Sequence, residues 1–231
     1  MSKKAEKNIF KLEFNNLKFD CIIALDGSLP PIAFFKKMEQ IPILAADGAA
    51  ISLIKKRIRA NYVIGDLDTF KSSPFSVLFE DNKIIHLPSQ ELNDFEKTLI
   101  FAEENGFKNL MIIGFHGGEL EHTLNNWSVL KKYSEKLNLC LLDRNRYGIP
   151  LNKSCIFSCK MNEMISLIPQ PEVTLTTQNL KWNLKNEKLE LGVREGARNV
   201  AISDNIKLEI HSGELLLFID SRLPYAPEFL T

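Results

Sequence analysis

Carboxylate, glycine and aromatic residues of this chain gather in five short stretches. They are Ala45-Ala46-Asp47-Gly48, Gly65-Asp66-Leu67-Asp68-Thr69, Ser89-Gln90 with Asn93-Asp94-Phe95-Glu96-Lys97, Gly117-Gly118 with Glu121-His122, and Leu180-Lys181-Trp182. Each of the first four follows an apolar run of strand length and opens a segment with helical pattern. That places them together beyond the carboxyl edge of a parallel sheet, where open α/β folds bind ligands. Asp66 and Asp68 stand one residue apart after Tyr62-Val63-Ile64, and in extended backbone their side chains project to the same face. Two carboxylates about 5 Å apart repel by roughly 3 kcal/mol at an effective dielectric near 20. A shared cation relieves that repulsion, and Mg²⁺ takes one or two carboxylates plus phosphate oxygens. The alternative is two aspartates in a solvated turn.

Several of the other residues also carry two readings. Asp94 falls in the first turn of a helix, where negative charge complements the dipole whatever its function, or it is a third metal-facing carboxylate. Lys97, one turn on, shares its face. Asp47 suits either a cap for the helix that follows it or a place in the site. Gly117-Gly118 lets backbone N–H groups approach an anion at the start of a long helix. His122 could reach a phosphate there or be a surface or packing residue, while His86, His116 and His211 have no metal spacing and read as structural. Trp182 shares one strand face with Leu180 and Leu184, so it is core, or it is a stacking platform for a cationic ring.

The elements that must position these residues follow from the apolar runs. Phe19 to Leu25, Ile41 to Ala45, Tyr62 to Ile64, Ile84 to Leu87, Leu110 to Ile113 and Leu137 to Leu142 alternate with helical segments, which predicts a mostly parallel sheet. Ile51, Ile54 and Ile58 form one helical stripe. Asn93 reads as an N-cap, with Asn105-Gly106 closing its helix. Leu120, Leu124, Trp127, Leu130, Tyr133 and Leu137 predict a long helix on the sheet. From Asp143 to Pro150 the texture changes, and short, evenly spaced strand candidates follow: Cys155 to Ser158, Met164 to Pro169, Val173 to Thr176, Leu180 to Leu184, Val200 to Ile202, Ile206 to Ile210 and Glu214 to Ile219. The last two are joined across His211-Ser212-Gly213. The expected fold class is α/β, with an amino-terminal mostly parallel sheet domain and a smaller all-β sandwich domain after it. The boundaries are 1–18 for an amino-terminal extension, 19–147 for the α/β domain and 148–231 for the β domain. The charged start and the tail from Pro224 are the candidate disordered segments.

Composition narrows the function classes. The 231 residues are 45% hydrophobic and 25% charged, enough for a substantial core. Lys+Arg and Asp+Glu are both 29, so the overall field gives no reason to expect a nucleic acid or an anionic membrane as partner. No apolar run approaches the ~20 residues of a membrane span, and no h-region follows the basic start, so the expected location is cytoplasmic. Cys21, Cys140, Cys155 and Cys159 show no redox or zinc spacing and read as buried thiols.

Taken in order, the motifs resemble the thiamine pyrophosphokinase (thiamine diphosphokinase) family over nearly the whole chain. The resemblance runs through Asp47-Gly48, Gly65-Asp66-Leu67-Asp68-Thr69, Gln90, Asp94-Phe95-Glu96-Lys97, Gly117-Gly118 through His122 to Asn125 or Asn126, Leu180-Lys181-Trp182 and Asn199. It implies an α/β nucleotide domain and a β-sandwich that binds thiamine and dimerises, usually as a homodimer with the site between subunits. The implied reaction is Mg²⁺-dependent transfer of the diphosphoryl group of ATP to the hydroxyl of thiamine, releasing AMP. By the same resemblance Asp66, Asp68 and Asp94 hold Mg²⁺ on the ATP phosphates, with Asp47 placing substrate or metal. Gln90, Lys97, Gly117, Gly118, Glu121 and His122 contact the nucleotide. Trp182 stacks on thiamine across the dimer interface, and Arg198 and Asn199 line that pocket.

The chain departs from the family pattern in places. Glu119 stands where arginine is common and Glu121 where aspartate is, Ser89 and Asn93 replace Asp and Thr, and Arg198 precedes Asn199 where serine is usual. Glu119 cannot donate to an anion, so either Lys97, Arg194 or Arg198 substitutes or the nucleotide shifts. Other readings of the motifs are diphosphorylation of another heterocyclic alcohol and a non-catalytic protein that binds thiamine or nucleotide. A strand-DxD phosphatase of the haloacid-dehalogenase type, or a nucleotide-sugar transferase, is a further rival. Phe70 stands against the phosphatase, which wants a small or β-branched residue there.

Overall fold

The structure, a computed structural model, describes residues 8–231; the charged start at 1–7, expected to be disordered, lies outside them. The chain divides into two compact units, Lys18–Arg144 and a second made of Asn145–Thr231 with the chain up to Leu17. The first strand, β1 (Phe10–Glu13), belongs to the second unit.

The α/β unit then runs β2 (Cys21–Ala24), α1 (Ile32–Lys37), β3 (Ile43–Ala46), α2 (Ala49–Lys55), β4 (Tyr62–Gly65), α3 (Asp68–Lys71), β5 (Ile84–His86), α4 (Asp94–Glu104), β6 (Asn109–Ile113), α5 (Leu120–Tyr133) and β7 (Asn138–Asp143). Its six strands pair in parallel in the order β7-β6-β2-β3-β4-β5. Parallel strands covered on both faces read as continuous apolar runs, and Cys21 to Ala24 and Leu110 to Ile113 are fully buried. The chain steps outward from β2 to β5, then returns to lay β6 on the other side of β2. This makes the β2/β6 boundary the switch point of the sheet. Backbones crowd there: a side chain on Gly27 would come within 2.3 Å of the carbonyls of Gly114 and His116.

Two helices differ from their sequence pattern. In α2 the buried residues are Ala49, Ala50 and Leu53, while Ile51, Ile54 and the following Ile58 are only half-buried. Alanines let that helix lie close to the sheet directly after Asp47-Gly48. In α5, Val129, Leu130 and Tyr133 are buried, but Leu120 and Leu124 are 68% and 63% exposed. The apolar stripe is continuous in sequence, yet only its second half packs. Glu96, 7% exposed, ties α4 to α5 by accepting from the Tyr133 hydroxyl at 3.0 Å and from Lys132.

In the β-rich unit, β1 is followed by β8 (Arg146–Leu151), β9 (Cys155–Ser158), β10 (Met164–Gln178), β11 (Glu187–Glu190), β12 (Gly196–Val200), β13 (Asn205–Asp220) and β14 (Glu228–Leu230). Strand β13 pairs antiparallel with β8, β9 and β10, and β10 also pairs with β11 and β12. The amino-terminal segment expected as an extension supplies β1, parallel to β9 and antiparallel to β14, and its Leu12 is 1% exposed. The tail expected to be disordered supplies β14. The segments 164–169 and 173–176 are one strand, and so are 206–210 and 214–219. No hairpin forms at His211-Ser212-Gly213, because Gly213 at φ +76 absorbs a register shift against Glu172 and Val173. The turn-like stretch Asp143 to Pro150 contains β8, whose Arg146 donates to the carbonyls of Met164 and Phe218. Leu180 to Leu184 is a turn rather than a strand; only Leu180 bridges to Ala201.

All four cysteines are free thiols, and burial pushes Cys155 up to about 12 and Cys159 to about 11. Among the described residues no helix is long and apolar enough to cross a membrane.

Candidate functional site

The carboxyl ends of β2, β3, β4 and β6 and the amino ends of α4 and α5 enclose a cleft of about 720 Å³, a size suited to a small-molecule ligand. Its floor is acidic. Ligand oxygens of Asp47, Asp66 and Asp94 lie within 4.8 Å of one another, and each carboxylate is held by a different device.

Asp47, 6% exposed and with φ 36, turns its carboxylate onto the start of α3. Its Oδ1 accepts from the Phe70 amide at 3.0 Å and its Oδ2 from the Thr69 amide at 3.2 Å. It caps α3, not the helix that directly follows it. Asp66 directly follows β4; its Oδ1 accepts from the Asp68 amide at 3.3 Å and its Oδ2 from the Gln90 side chain at 3.1 Å. Asp94 opens α4, which Asn93 caps by accepting from the Glu96 amide at 2.8 Å. Asp94 Oδ1 accepts from the Asp66 amide at 3.3 Å. Gly65 leaves space for this approach: at φ +155, a side chain there would sit 2.8 Å from Asp94 Oδ1.

Lys97 sits inside this group, its side chain 3% exposed. Its Nζ is 3.0 Å from Asp94 Oδ1 and 3.6 Å from Asp66 Oδ2. The electrostatics of the two carboxylates diverge. Burial pulls Asp66 upward, but the Asp68 amide, Gln90 and the Lys97 ammonium outweigh it and hold Asp66 below the usual range. For Asp94 burial prevails over Lys97, and Asp66 adds repulsion, so its carboxyl lies above the usual value.

The DxD geometry differs from extended backbone. Leu67, fully buried, takes left-handed φ 67, and Asp68 becomes the first residue of α3. The chain therefore turns between the two aspartates, and Asp68 is exposed and outside the carboxylate group.

Gly118, Glu119 and His122 line the cleft, together with Gln90 and Lys97; Gly117 and Glu121 do not. Gly117, φ +101, is the close-approach residue of that turn, facing Ser28. Glu119, the N-cap residue of α5, makes no side-chain capping bond, and its Oε2 lies 3.4 Å from His122 Nε2 across exposed surface. Glu119 thus has an imidazole beside it.

Asp26, Thr69, Thr123, Asn125 and Asn126 also line the cleft. The sequence reading gave no role to Asp26, whose Oδ1 accepts from Ser52 at 2.8 Å and whose Oδ2 faces Gly48. The signal was there: Asp26-Gly27 follows an apolar run as Asp47-Gly48 does.

In the β-rich unit, Trp182 is 58% exposed, while Leu180 and Leu184 are buried. The turn over 180–184 separates the three residues, so Trp182 is not core. Lys181 Nζ stands 4.8 Å from the indole ring. Asn199, 8% exposed, holds the turn: its Oδ1 accepts from the amides of Trp182 at 3.1 Å and Val200 at 2.9 Å, and its Nδ2 donates to Trp182 O at 2.8 Å. Arg198, at φ 58, donates its amide to Ser166. Its guanidinium makes no hydrogen bond or ion pair among the described residues, although Arg146 feels its charge.

Three converging carboxylates offer hard oxygen donors that suit Mg²⁺ or Mn²⁺, in a cleft with amide and glycine walls. Residues 37–141 match the family model described as thiamin pyrophosphokinase, catalytic domain, and residues 149–216 match thiamin pyrophosphokinase, vitamin B1 binding domain, together more than half of the chain. The chain is 24% identical over 186 residues to thiamin pyrophosphokinase 1 of Caenorhabditis elegans, covering 73% of this chain and 75% of that protein. A crystal structure of thiamin pyrophosphokinase from Geobacillus thermodenitrificans is similar with a TM-score of 0.72 at 21% identity, covering 87% of this chain and 97% of that one. Thiamin pyrophosphokinase from Candida albicans is similar with a TM-score of 0.69 at 18% identity, covering 93% and 99%.

Proposed function

The chain belongs to the thiamin pyrophosphokinase family, and from that premise we propose that it transfers the diphosphoryl group of ATP to the hydroxyl of thiamine, giving thiamine diphosphate and AMP. It is an enzyme of the thiamine-diphosphorylating type; the donor, metal and products are our reading. The observation that carries this reading is the carboxylate trio Asp47, Asp66 and Asp94 at the carboxyl edge of the parallel sheet.

Asp66 and Asp94, with Asp47 behind them, would hold Mg²⁺, while exposed Asp68 falls outside the set. When bound, the ion would neutralise charge on phosphate oxygens while the diphosphoryl group passes to thiamine and AMP leaves. The chain's own residues do the rest. Gln90 orients Asp66, and the start of α5, which the Glu119 side chain does not cap, offers amide hydrogens to phosphate. Asp47 fixes the start of α3 and so the turn that presents Asp66. No covalent protein intermediate is needed, since neutralisation and in-line positioning supply most of the stabilisation in phosphoryl transfer. Trp182 supplies a flat face for the thiazolium, an attraction of about 0.5 to 2 kcal/mol, with Asn199 holding that face in place. A cytoplasmic homodimer completes the proposal.

A second reading is favoured by one feature. Arg198 directly precedes Asn199 of the Trp182 turn and presents a guanidinium unpaired among the described residues, which suits an uncharged heterocyclic alcohol better than cationic thiamine. A product assay tests both. Purified protein with Mg²⁺, ATP and thiamine is expected to form AMP and thiamine diphosphate in equal amounts. ADP or inorganic phosphate in their place would refute diphosphoryl transfer, and turnover only with pterin or pyrimidine alcohols would select the second reading.

A further inference from the structure

We propose that Lys97 is the resident counter-ion of the cleft, neutralising Asp66 and Asp94 until a divalent cation enters and then passing its ammonium to the nucleotide phosphates. This rests on the metal-dependent reading above and adds an order to it. The ammonium is 3% exposed and lies 3.0 Å from Asp94 Oδ1 and 3.6 Å from Asp66 Oδ2. Those carboxylates and Asp47 are also the three that converge. A buried lysine is retained at a desolvation penalty and is stabilised only by its partners. Here those partners are the groups a metal would need.

A dication and an ammonium cannot both occupy these oxygens without strong repulsion. Entry of the metal therefore displaces Nζ, and the flexible four-carbon stem lets the ammonium turn without moving α4. Lys97 lines the same cleft as Gly118 and the start of α5, so the phosphate end of the nucleotide is the anion within its reach. The same side chain is thus a competitor of the metal in the empty cleft and an ally of the nucleotide in the loaded one.

The two roles give opposite signs. A lysine that merely braces the carboxylates would, on removal, weaken metal and nucleotide binding alike. Under the proposal, Lys97→Met binds Mn²⁺ alone about tenfold more tightly than the parent protein, a modest return for removing a charge beside the ligands. ATP affinity in EDTA then agrees between parent and variant within about twofold, whereas with saturating Mn²⁺ the variant binds ATP about tenfold less tightly. Mn²⁺ binding is read by electron paramagnetic resonance and ATP binding by calorimetry, both without thiamine and hence without turnover. Lys97→Gln serves as the second variant if Lys97→Met does not fold, with thermal unfolding to check both. Equal or weaker Mn²⁺ binding by the folded variant, or an ATP loss that is the same with and without metal, overturns the proposal. Failure of the parent itself to bind Mn²⁺ would instead overturn the metal-dependent function on which it rests.

Discussion

Asn199 separates two views of the Trp182 turn, and Asn199→Ala tells them apart. In one, the amide is a ligand contact; in the other it is a brace. Its Oδ1 receives two backbone amides, from Trp182 and Val200, and its Nδ2 donates to the Trp182 carbonyl, all between 2.8 and 3.1 Å. At about 1 kcal/mol net for each neutral hydrogen bond, the three together are worth about 3 kcal/mol. Water can replace part of this at exposed Trp182, which brings the expected loss to about 2 kcal/mol. In urea that is a midpoint lowered by about 1 M at unchanged m-value. The indole gives a second readout. With Trp127→Phe as background, Trp182 is the remaining tryptophan of the two in the chain. Its fluorescence anisotropy is expected to fall, and acrylamide quenching to rise, once the turn is released. A variant within about 0.5 kcal/mol of its parent, with anisotropy unchanged, would refute the brace and return the amide to the role of ligand contact.

Gly65→Ala is expected to leave the fold intact but abolish Mn²⁺ binding, because the added methyl would sit 2.8 Å from Asp94 Oδ1 in a backbone conformation that disfavours side chains; paramagnetic resonance checks it. Burial and the Glu96 carboxylate push the Tyr133 hydroxyl from 10.0 to about 12. Its contribution to stability is therefore complete below about pH 10 and lost as pH rises toward 12, and urea midpoints of wild type minus Tyr133→Phe should shrink across that window. A single guanidinium nitrogen of Arg222, Nη2, donates to both oxygens of Glu163, whose side chain is fully buried, so Arg222→Ala should destabilise by about 3 to 5 kcal/mol. Chemical denaturation measures this, and a loss under about 1 kcal/mol would mean that Glu163 is satisfied by the Asp220 and Lys160 amides alone.

The sheet was legible in the sequence because strands buried on both faces leave unbroken apolar runs; Phe19 to Leu25 and Leu110 to Ile113 each became a strand within a residue or two of the expected limits. Asn93 was legible as a cap because capping is a local bond. What depends on backbone sign was not. Leucine gives no warning of left-handed φ, so Leu67 hid the turn that parts Asp68 from Asp66. Likewise Asp47 and Asn199 bind amides 22 and 17 residues away in sequence, partnerships no local pattern announces. Short strands β1 and β14 exist through their neighbours, and α5 shows an apolar stripe whose first turns find nothing to cover them among the described residues of its own unit.

The α/β unit is an uninterrupted stretch of chain, whereas the β-rich unit takes its first strand from before that stretch and its remaining strands from after it. During synthesis residues 18–144 can complete their internal contacts while the ribosome is still translating the remainder. Strand β1 emerges first but waits for both neighbours, β9 and finally β14. At typical elongation speeds that wait is on the order of tens of seconds. A nascent enzyme would thus carry a finished cleft well before its Trp182-bearing unit could fold, with a lone amino-terminal strand available to chaperones in the interval.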